Sequence, residues 1–168
     1  GHSKTYAMTG WRLGYGLLPT AAEADLFKQF NVNIISCTPP FIQEAGRAAL
    51  ENPENEAIIA HMVSQFEERR NYVVDALNAI DGIHSFRPNA TFYLFPNVTE
   101  VMERKGMTDY EVFRREALHA TGVSFTTRLH FGREIPGEAN RYIRFAYSGI
   151  DVADIEESLA LFKDWAEA

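Results

Sequence analysis

The sequence predicts a mixed α/β fold. Three observations carry this: capping signatures that open stretches of helical apolar periodicity, short runs dense in aromatic and β-branched residues, and Pro, Gly and Asn punctuation between the two. At 168 residues the chain can bury a proper core, either as one domain or as a portion of a larger protein. Its 46% hydrophobic and 23% charged residues are the composition of a soluble, globular chain.

The elements follow in order. Tyr15 to Leu18 is a short apolar run that fits a buried strand, closed by Pro19. Thr20 and Glu23 make a capping box, which opens a helix through Ala24, Leu26, Phe27 and Phe30. Ser36 to Pro40 is a break and a fresh start, with Thr38 as N-cap and proline at the first helical position; that helix reaches about Leu50 before Asn52-Pro53 stops it. From Glu54 to about Ile80 the residues Ile58, Met62, Phe66, Val73, Leu77 and Ile80 recur at helical spacing. They predict one long amphipathic helix ending at Asp81-Gly82, with Glu67 to Arg70 on its solvated face.

Thr91 to Phe95 is rich in β-favouring aromatics and bounded by Pro88-Asn89 and Pro96-Asn97, which makes it a strand. Thr108 and Glu111 form another capping box, leading a helix through Tyr110, Val112, Phe113 and Leu118 to Gly122. Val123 to Thr127 reads as a strand, Arg128 to Asn140 as loop, and Arg141 to Tyr147 as a strand again. Asp151 caps a last helix that carries Val152, Ile155, Leu159, Phe162 and Trp165 on one face.

Charge narrows the function classes. With 23 acidic against 16 basic residues the net charge is -7, which argues against a nucleic-acid surface. Cys37 is the sole cysteine, so no internal disulfide can form and a reducing, cytoplasmic setting is the default. No apolar run is long enough to span a bilayer, and no basic start followed by an apolar stretch marks a signal peptide. His2, His61, His84, His119 and His130 show no metal-ligand spacing with each other or with Cys37.

The most informative stretch is Gly1-His2-Ser3-Lys4-Thr5-Tyr6-Ala7-Met8-Thr9-Gly10-Trp11-Arg12-Leu13-Gly14, with Lys4, Gly10 and Arg12 at fixed spacing. It resembles the lysine segment of class I and II aminotransferases, enzymes that use pyridoxal 5'-phosphate; the departure from their pattern is His2. The resemblance implies that Lys4 is the catalytic lysine. An unprotonated lysine amine condenses with the cofactor aldehyde as a Schiff base, and once displaced by substrate it can carry a proton in transamination. It also implies that Ser3 and Arg12 help hold the cofactor phosphate, a role the planar, permanently charged guanidinium suits. Gly10 and Gly14 would allow close backbone approach or positive φ on either side of Arg12.

Further segments resemble the same family in the same order: the helix pair, the long helix, Phe92 to Pro96, Phe131-Gly132 and the strand around Arg144. The implied fold is the carboxy-terminal portion of a fold-type I pyridoxal phosphate-dependent transferase. Residues 1–70 would end the large cofactor-binding domain and residues 71–168 would form the small domain, the boundary falling within a helix. The family's other cofactor-pocket walls precede the lysine, so the chain is expected to be incomplete and inactive alone. His2 is expected to be part of a flexible terminus, and Gly1-His2-Ser3 is open to being a vector remnant.

Strand alternation puts Ile143, Phe145 and Tyr147 on one face and Tyr142, Arg144 and Ala146 on the other. A guanidinium held mid-strand among aromatics needs a carboxylate, from the protein or from a ligand. The resemblance makes Arg144 the residue that grips the α-carboxylate of the substrate; Arg141 stands at the strand edge, where solvation is the ordinary outcome. Phe92, Tyr93 and Phe95 are read chiefly as core. The implied reaction is transamination between an α-amino acid, of aspartate or alanine type, and a 2-oxo acid, in a homodimer. A related fold-type I lyase and a non-catalytic fragment or dimerisation domain are the competing readings. The last predicts exposed apolar surface where a larger domain would pack.

Overall fold

The computed structural model describes residues 1–168. Its helices are α1 (His2–Thr5), α2 (Ala21–Ile35), α3 (Pro40–Glu51), α4 (Asn55–Asn78), α5 (Thr99–Arg104), α6 (Tyr110–Thr121) and α7 (Val152–Glu167). Its strands are β1 (Tyr93–Leu94), β2 (Thr126–Thr127) and β3 (Ile143–Ala146), and two 3-10 turns cover Thr9–Trp11 and Arg128–Phe131. Two compact units divide the chain, Gly1–Val63 and Ser64–Ala168, so the dividing line falls within α4. No helix is long and apolar enough to cross a membrane.

In the first unit α2 opens as the sequence predicts: the Thr20 hydroxyl accepts from the Glu23 N–H, and the Glu23 carboxylate accepts from the Thr20 N–H at 3.1 Å. None of its residues is buried, and Leu26, Phe27, Phe30, Ile34 and Ile35 all stand exposed. Helix α3 starts one residue later than expected, with Pro39 as N-cap and Pro40 at the first helical position. Thr38 is displaced because Pro39, followed by proline, is confined to extended backbone and takes the half-in position itself.

The run Tyr15 to Leu18 is not a strand, and Tyr15 and Leu17 are exposed, at 61% and 91%. The first unit contains no other strand, so the backbone of this run has no ladder to join.

The second unit has a three-stranded antiparallel sheet ordered β1-β3-β2, with Leu94 opposite Phe145 and Thr126 opposite Arg144. The strands are shorter than the β-rich runs that announced them. Bridges from Asn97 to His84 and to Tyr142 extend the sheet by isolated pairs only. The alternation within β3 is as predicted: Ile143, Phe145 and Tyr147 are buried and Tyr142, Arg144 and Ala146 are not. Those buried residues meet Val73, Val74 and Leu77 of α4, Phe113 and Ala117 of α6, and Ile155, Leu159 and Phe162 of α7 in one core. Phe162 is fully buried among the rings of Phe125, Phe145 and Trp165. A core this aromatic holds the sheet's outer face in place, and that face carries Arg144.

Two further caps differ from expectation. Helix α6 is capped by Asp109, whose Oδ1 accepts from the Glu111 N–H at 2.6 Å and the Val112 N–H at 3.0 Å. Thr108 does not cap, because the helix begins at Tyr110 and the longer carboxylate arm of Asp109 reaches both donors at once. Those two N–H bonds hold the Asp109 carboxyl below its ordinary range. At α7, Asp151 is the N-cap but makes no side-chain cap bond; its carboxylate is taken by Arg69 at 3.0 Å.

Candidate active site

In the first unit the lysine segment folds back on itself. The His2 N–H donates to the Leu13 carbonyl at 3.3 Å, the Thr9 hydroxyl donates to the Ser3 carbonyl at 2.8 Å, and Arg12 Nη1 donates to the Thr9 carbonyl at 2.8 Å. Ser3 and Arg12 are therefore both tied to Thr9. Lys4 sits on α1 with an exposed side chain that makes neither an ion pair nor a hydrogen bond. Arg12 follows the 3-10 turn with φ 54°, the left-handed region that a non-glycine residue occupies at a cost of about 1 kcal/mol or more. The positive φ expected of glycine here is not found: neither Gly10 nor Gly14 has it, and a Cβ on either would meet no other atom of the chain. The turn is made by Ala7 and Arg12 instead, because the carbonyl of Thr9 receives both the backbone N–H and the guanidinium of Arg12 and holds it there.

His2 is not a flexible end. It is 3% exposed, packed between the rings of Tyr6 and Tyr15 at 5.4 and 5.7 Å, and its Nε2–H donates to the Gly46 carbonyl at 3.2 Å. Its Nδ1 is buried without a partner. Gly46 on α3 is required by this contact, since a Cβ there would overlap Leu13 Cδ2 and approach His2 Nε2 to 3.3 Å. A cavity of about 350 Å³ lies between the same loop and the helices, lined by Tyr6, Met8, Trp11, Ala45, Ile58 and Met62 among others. Lys4 and Arg12 do not line it.

Arg144 belongs to the second unit, at the centre of the sheet's outer face. Its guanidinium carbon lies 4.2 Å from the centre of the Tyr93 ring and 4.1 Å from that of Phe131, so the cation is held between two aromatic faces. It is half-buried and has no hydrogen bond or ion pair. Other arginines are satisfied differently: Arg47, Arg69, Arg70, Arg87, Arg104, Arg114 and Arg128 each hold a carboxylate. The protein therefore supplies no carboxylate to Arg144, and the five N–H donors remain available in the plane between the rings. Arg141 lies over Tyr110 at 5.5 Å. Tyr93 serves this clamp rather than the core, and Phe95 is exposed, stacked on Tyr142 at 5.5 Å.

Phe131's place in this clamp is not legible in the Phe131-Gly132 resemblance alone. Its signal was local: Thr127 and His130 form a capping box across the 3-10 turn, with the Thr127 N–H donating to His130 Nδ1 at 3.2 Å. Arg128 anchors the same turn, its N–H bonded to the Tyr142 carbonyl at 2.9 Å and its guanidinium to Glu138 at 3.0 Å and to the Arg133 carbonyl at 2.5 Å.

The arrangement is that of a fold-type I transferase portion, and comparison with known proteins identifies the family. A model of "Aminotransferase class I and II" matches residues 1–161. The asparagine--oxo-acid transaminase of Streptococcus mutans is 33% identical over 160 residues, covering 95% of this chain and 38% of that protein. The aspartate aminotransferase of Pyrococcus horikoshii is 34% identical over 146 residues, covering 87% and 35%. The crystal structure of the aspartate aminotransferase from Rhizobium meliloti matches with a TM-score of 0.86 at 27% identity, covering 99% of this chain and 40% of that one. The chain belongs to the class I and II aminotransferases. It spans 38% of the length of the S. mutans relative and 40% of the R. meliloti one.

Proposed function

We propose that the protein is the carboxy-terminal part of a pyridoxal phosphate-dependent aminotransferase that moves an amino group between an α-amino acid and a 2-oxo acid, of aspartate or alanine type. Residues 1–70 read as the end of the cofactor-binding domain and residues 71–168 as the small domain. The observation that carries the reading is Arg144: a half-buried guanidinium, braced by Tyr93 and Phe131 and left without a protein carboxylate. Such a fork accepts a ligand carboxylate in two parallel hydrogen bonds, and the substrate class shares an α-carboxylate.

The first unit supports the cofactor half of the reading. Residues 1–22 contain Lys4 and Arg12 and no Asp or Glu, in a chain of net charge -7. A free amine and a guanidinium with spare N–H donors, unopposed by any carboxylate, suit an aldehyde that carries a phosphate. Lys4 would hold the aldehyde covalently and Arg12 with Ser3 the phosphate; when bound, the cofactor supplies the electron sink that transamination needs. Lys4, freed when the substrate takes its place, would hold and move the proton at the substrate's α carbon. The exposed apolar residues of α2 fit a surface covered in a larger, homodimeric enzyme, in a cytoplasmic setting.

Spectroscopy tests this. The complete enzyme incubated with pyridoxal phosphate should show a visible absorption band that borohydride converts to an irreversible adduct on Lys4. Lys4→Ala should abolish both the band and the adduct. An adduct on another lysine would end the assignment.

A further inference from the structure

The Arg144 clamp depends on a turn, and the turn depends on an imidazole. Phe131 ends the 3-10 turn Arg128–Phe131, and its ring forms one of the two faces around Arg144. The turn begins at Thr127, whose hydroxyl accepts from the His130 N–H while its own N–H donates to His130 Nδ1 at 3.2 Å. Nδ1 also stands 2.8 Å from the Thr127 hydroxyl. An N–H needs a lone pair opposite it, so Nδ1 must be unprotonated for this cap to close. Thr127 is fully buried, and its N–H has no second acceptor.

We infer that His130 is a positioning residue for the carboxylate site: unprotonated, its Nδ1 closes the turn that sets Phe131 against Arg144, and protonation opens that turn and loosens the clamp. This rests on the reading of Arg144 as the carboxylate grip.

The charged groups around His130 divide. Glu111 on α6 faces Nε2 with Oε1 at 3.8 Å and favours the imidazolium, but that oxygen is beyond hydrogen-bond distance and half-exposed. The other Glu111 oxygen is held by Arg114 at 2.7 Å, which keeps the carboxylate ionised. Asp109 lies behind, engaged with the backbone at the start of α6. From the turn itself, Arg128 is a cation committed to Glu138 and opposes a second positive charge. Protonation thus sets an Nδ1–H against the Thr127 N–H, a donor facing a donor across a part-buried contact, in exchange for a screened attraction to Glu111 and a bond to the Thr127 hydroxyl, and the lost backbone bond weighs more.

Asparagine is the informative substitute, because its Oδ1 can take the place of Nδ1 as acceptor and does not titrate. The test uses the complete enzyme with labelled arginine side chains, Arg144 being assigned by its loss in Arg144→Lys. At about pH 8 the Arg144 side-chain protons should be displaced upfield by the two rings. Between about pH 8 and about pH 5, the span over which imidazoles change charge, that displacement should fade in step with the His130 ring resonance. His130→Asn should keep the displacement at every pH, and His130→Ala should lack it while the amide dispersion of α6 and β3 persists.

A displacement indifferent to the His130 titration, or retained in His130→Ala, overturns the proposal. L-aspartate, whose charge is constant over this span, separates the two readings. It should perturb Arg144 and bind about fivefold more weakly at the lower pH in the wild type but not in His130→Asn, the weight of one lost cap bond. If the ring displacement follows His130 but L-aspartate never perturbs Arg144, the positioning role stands and the carboxylate reading of Arg144 falls.

Discussion

Replacing Arg144 separates its proposed role from that of every other cation in the chain. Its guanidinium lies between rings at 4.2 and 4.1 Å and spends no donor on the protein, so its whole hydrogen-bonding edge is free for a ligand. Two charge-assisted hydrogen bonds to one carboxylate, at about 1.5–3 kcal/mol each, are worth about 3–6 kcal/mol. Arg144→Ala in the complete enzyme should therefore weaken amino acid binding by about 10²- to 10⁴-fold. Arg144→Lys keeps the charge but presents a point in place of a fork, and should recover about half of that free energy.

Spectral titration gives the dissociation constants for L-aspartate, L-alanine and pyridoxal phosphate on each variant. Both amino acids should weaken together while the cofactor constant stays nearly unchanged, because the lost contact is to the carboxylate they share. Loss of the two ring contacts also lowers stability by about 1–2 kcal/mol, so binding is measured well below the unfolding transition. Equal loss of pyridoxal phosphate, or loss of aspartate binding alone, would refute the assignment.

Three further outcomes are expected. Arg12→Ala reverses the order of effects, weakening cofactor retention first; an unchanged cofactor dissociation constant rules out a phosphate role. Phe162→Ala, which empties a site fully buried among Phe125, Phe145 and Trp165, should lower stability by about 3–5 kcal/mol in urea unfolding, and a loss below about 1 kcal/mol would mean the core is not packed as described. Asp109→Ala should destabilise α6 near neutral pH. The Asp109 carboxyl is held below its ordinary range by the Val112 and Glu111 N–H groups, so its contribution is present above its unfolded value and is lost as pH falls through the lower folded one. The gap in urea midpoint between wild type and variant should shrink in acid, and a gap constant with pH would show that the carboxylate charge is not involved.

Local signals were legible wherever neighbours in sequence satisfy one another. The Thr20–Glu23 box, the end of α6 at Gly122 with φ 74° and the burial alternation of β3 all depend on residues within a few positions. Where two local solutions compete the pattern misleads: Asp109 outreaches Thr108, and Arg69 draws the Asp151 carboxylate away from the helix it was expected to cap. Strand length was overread because β-rich composition marks side chains that suit a sheet, whereas pairing depends on a partner strand being alongside.

The sequence by itself determined the family and the candidate residues Ser3, Lys4, Arg12 and Arg144, because a motif preserves residue types at fixed spacing. Only tertiary structure decided what surrounds them. It buried His2 against Gly46, put the left-handed turn on Arg12 in place of a glycine, and brought Tyr93 and Phe131 to opposite faces of Arg144. Tyr93 and Phe131 are 51 and 13 positions from that arginine, and contacts over such separations are made by strand pairing and loop return, which no local periodicity encodes.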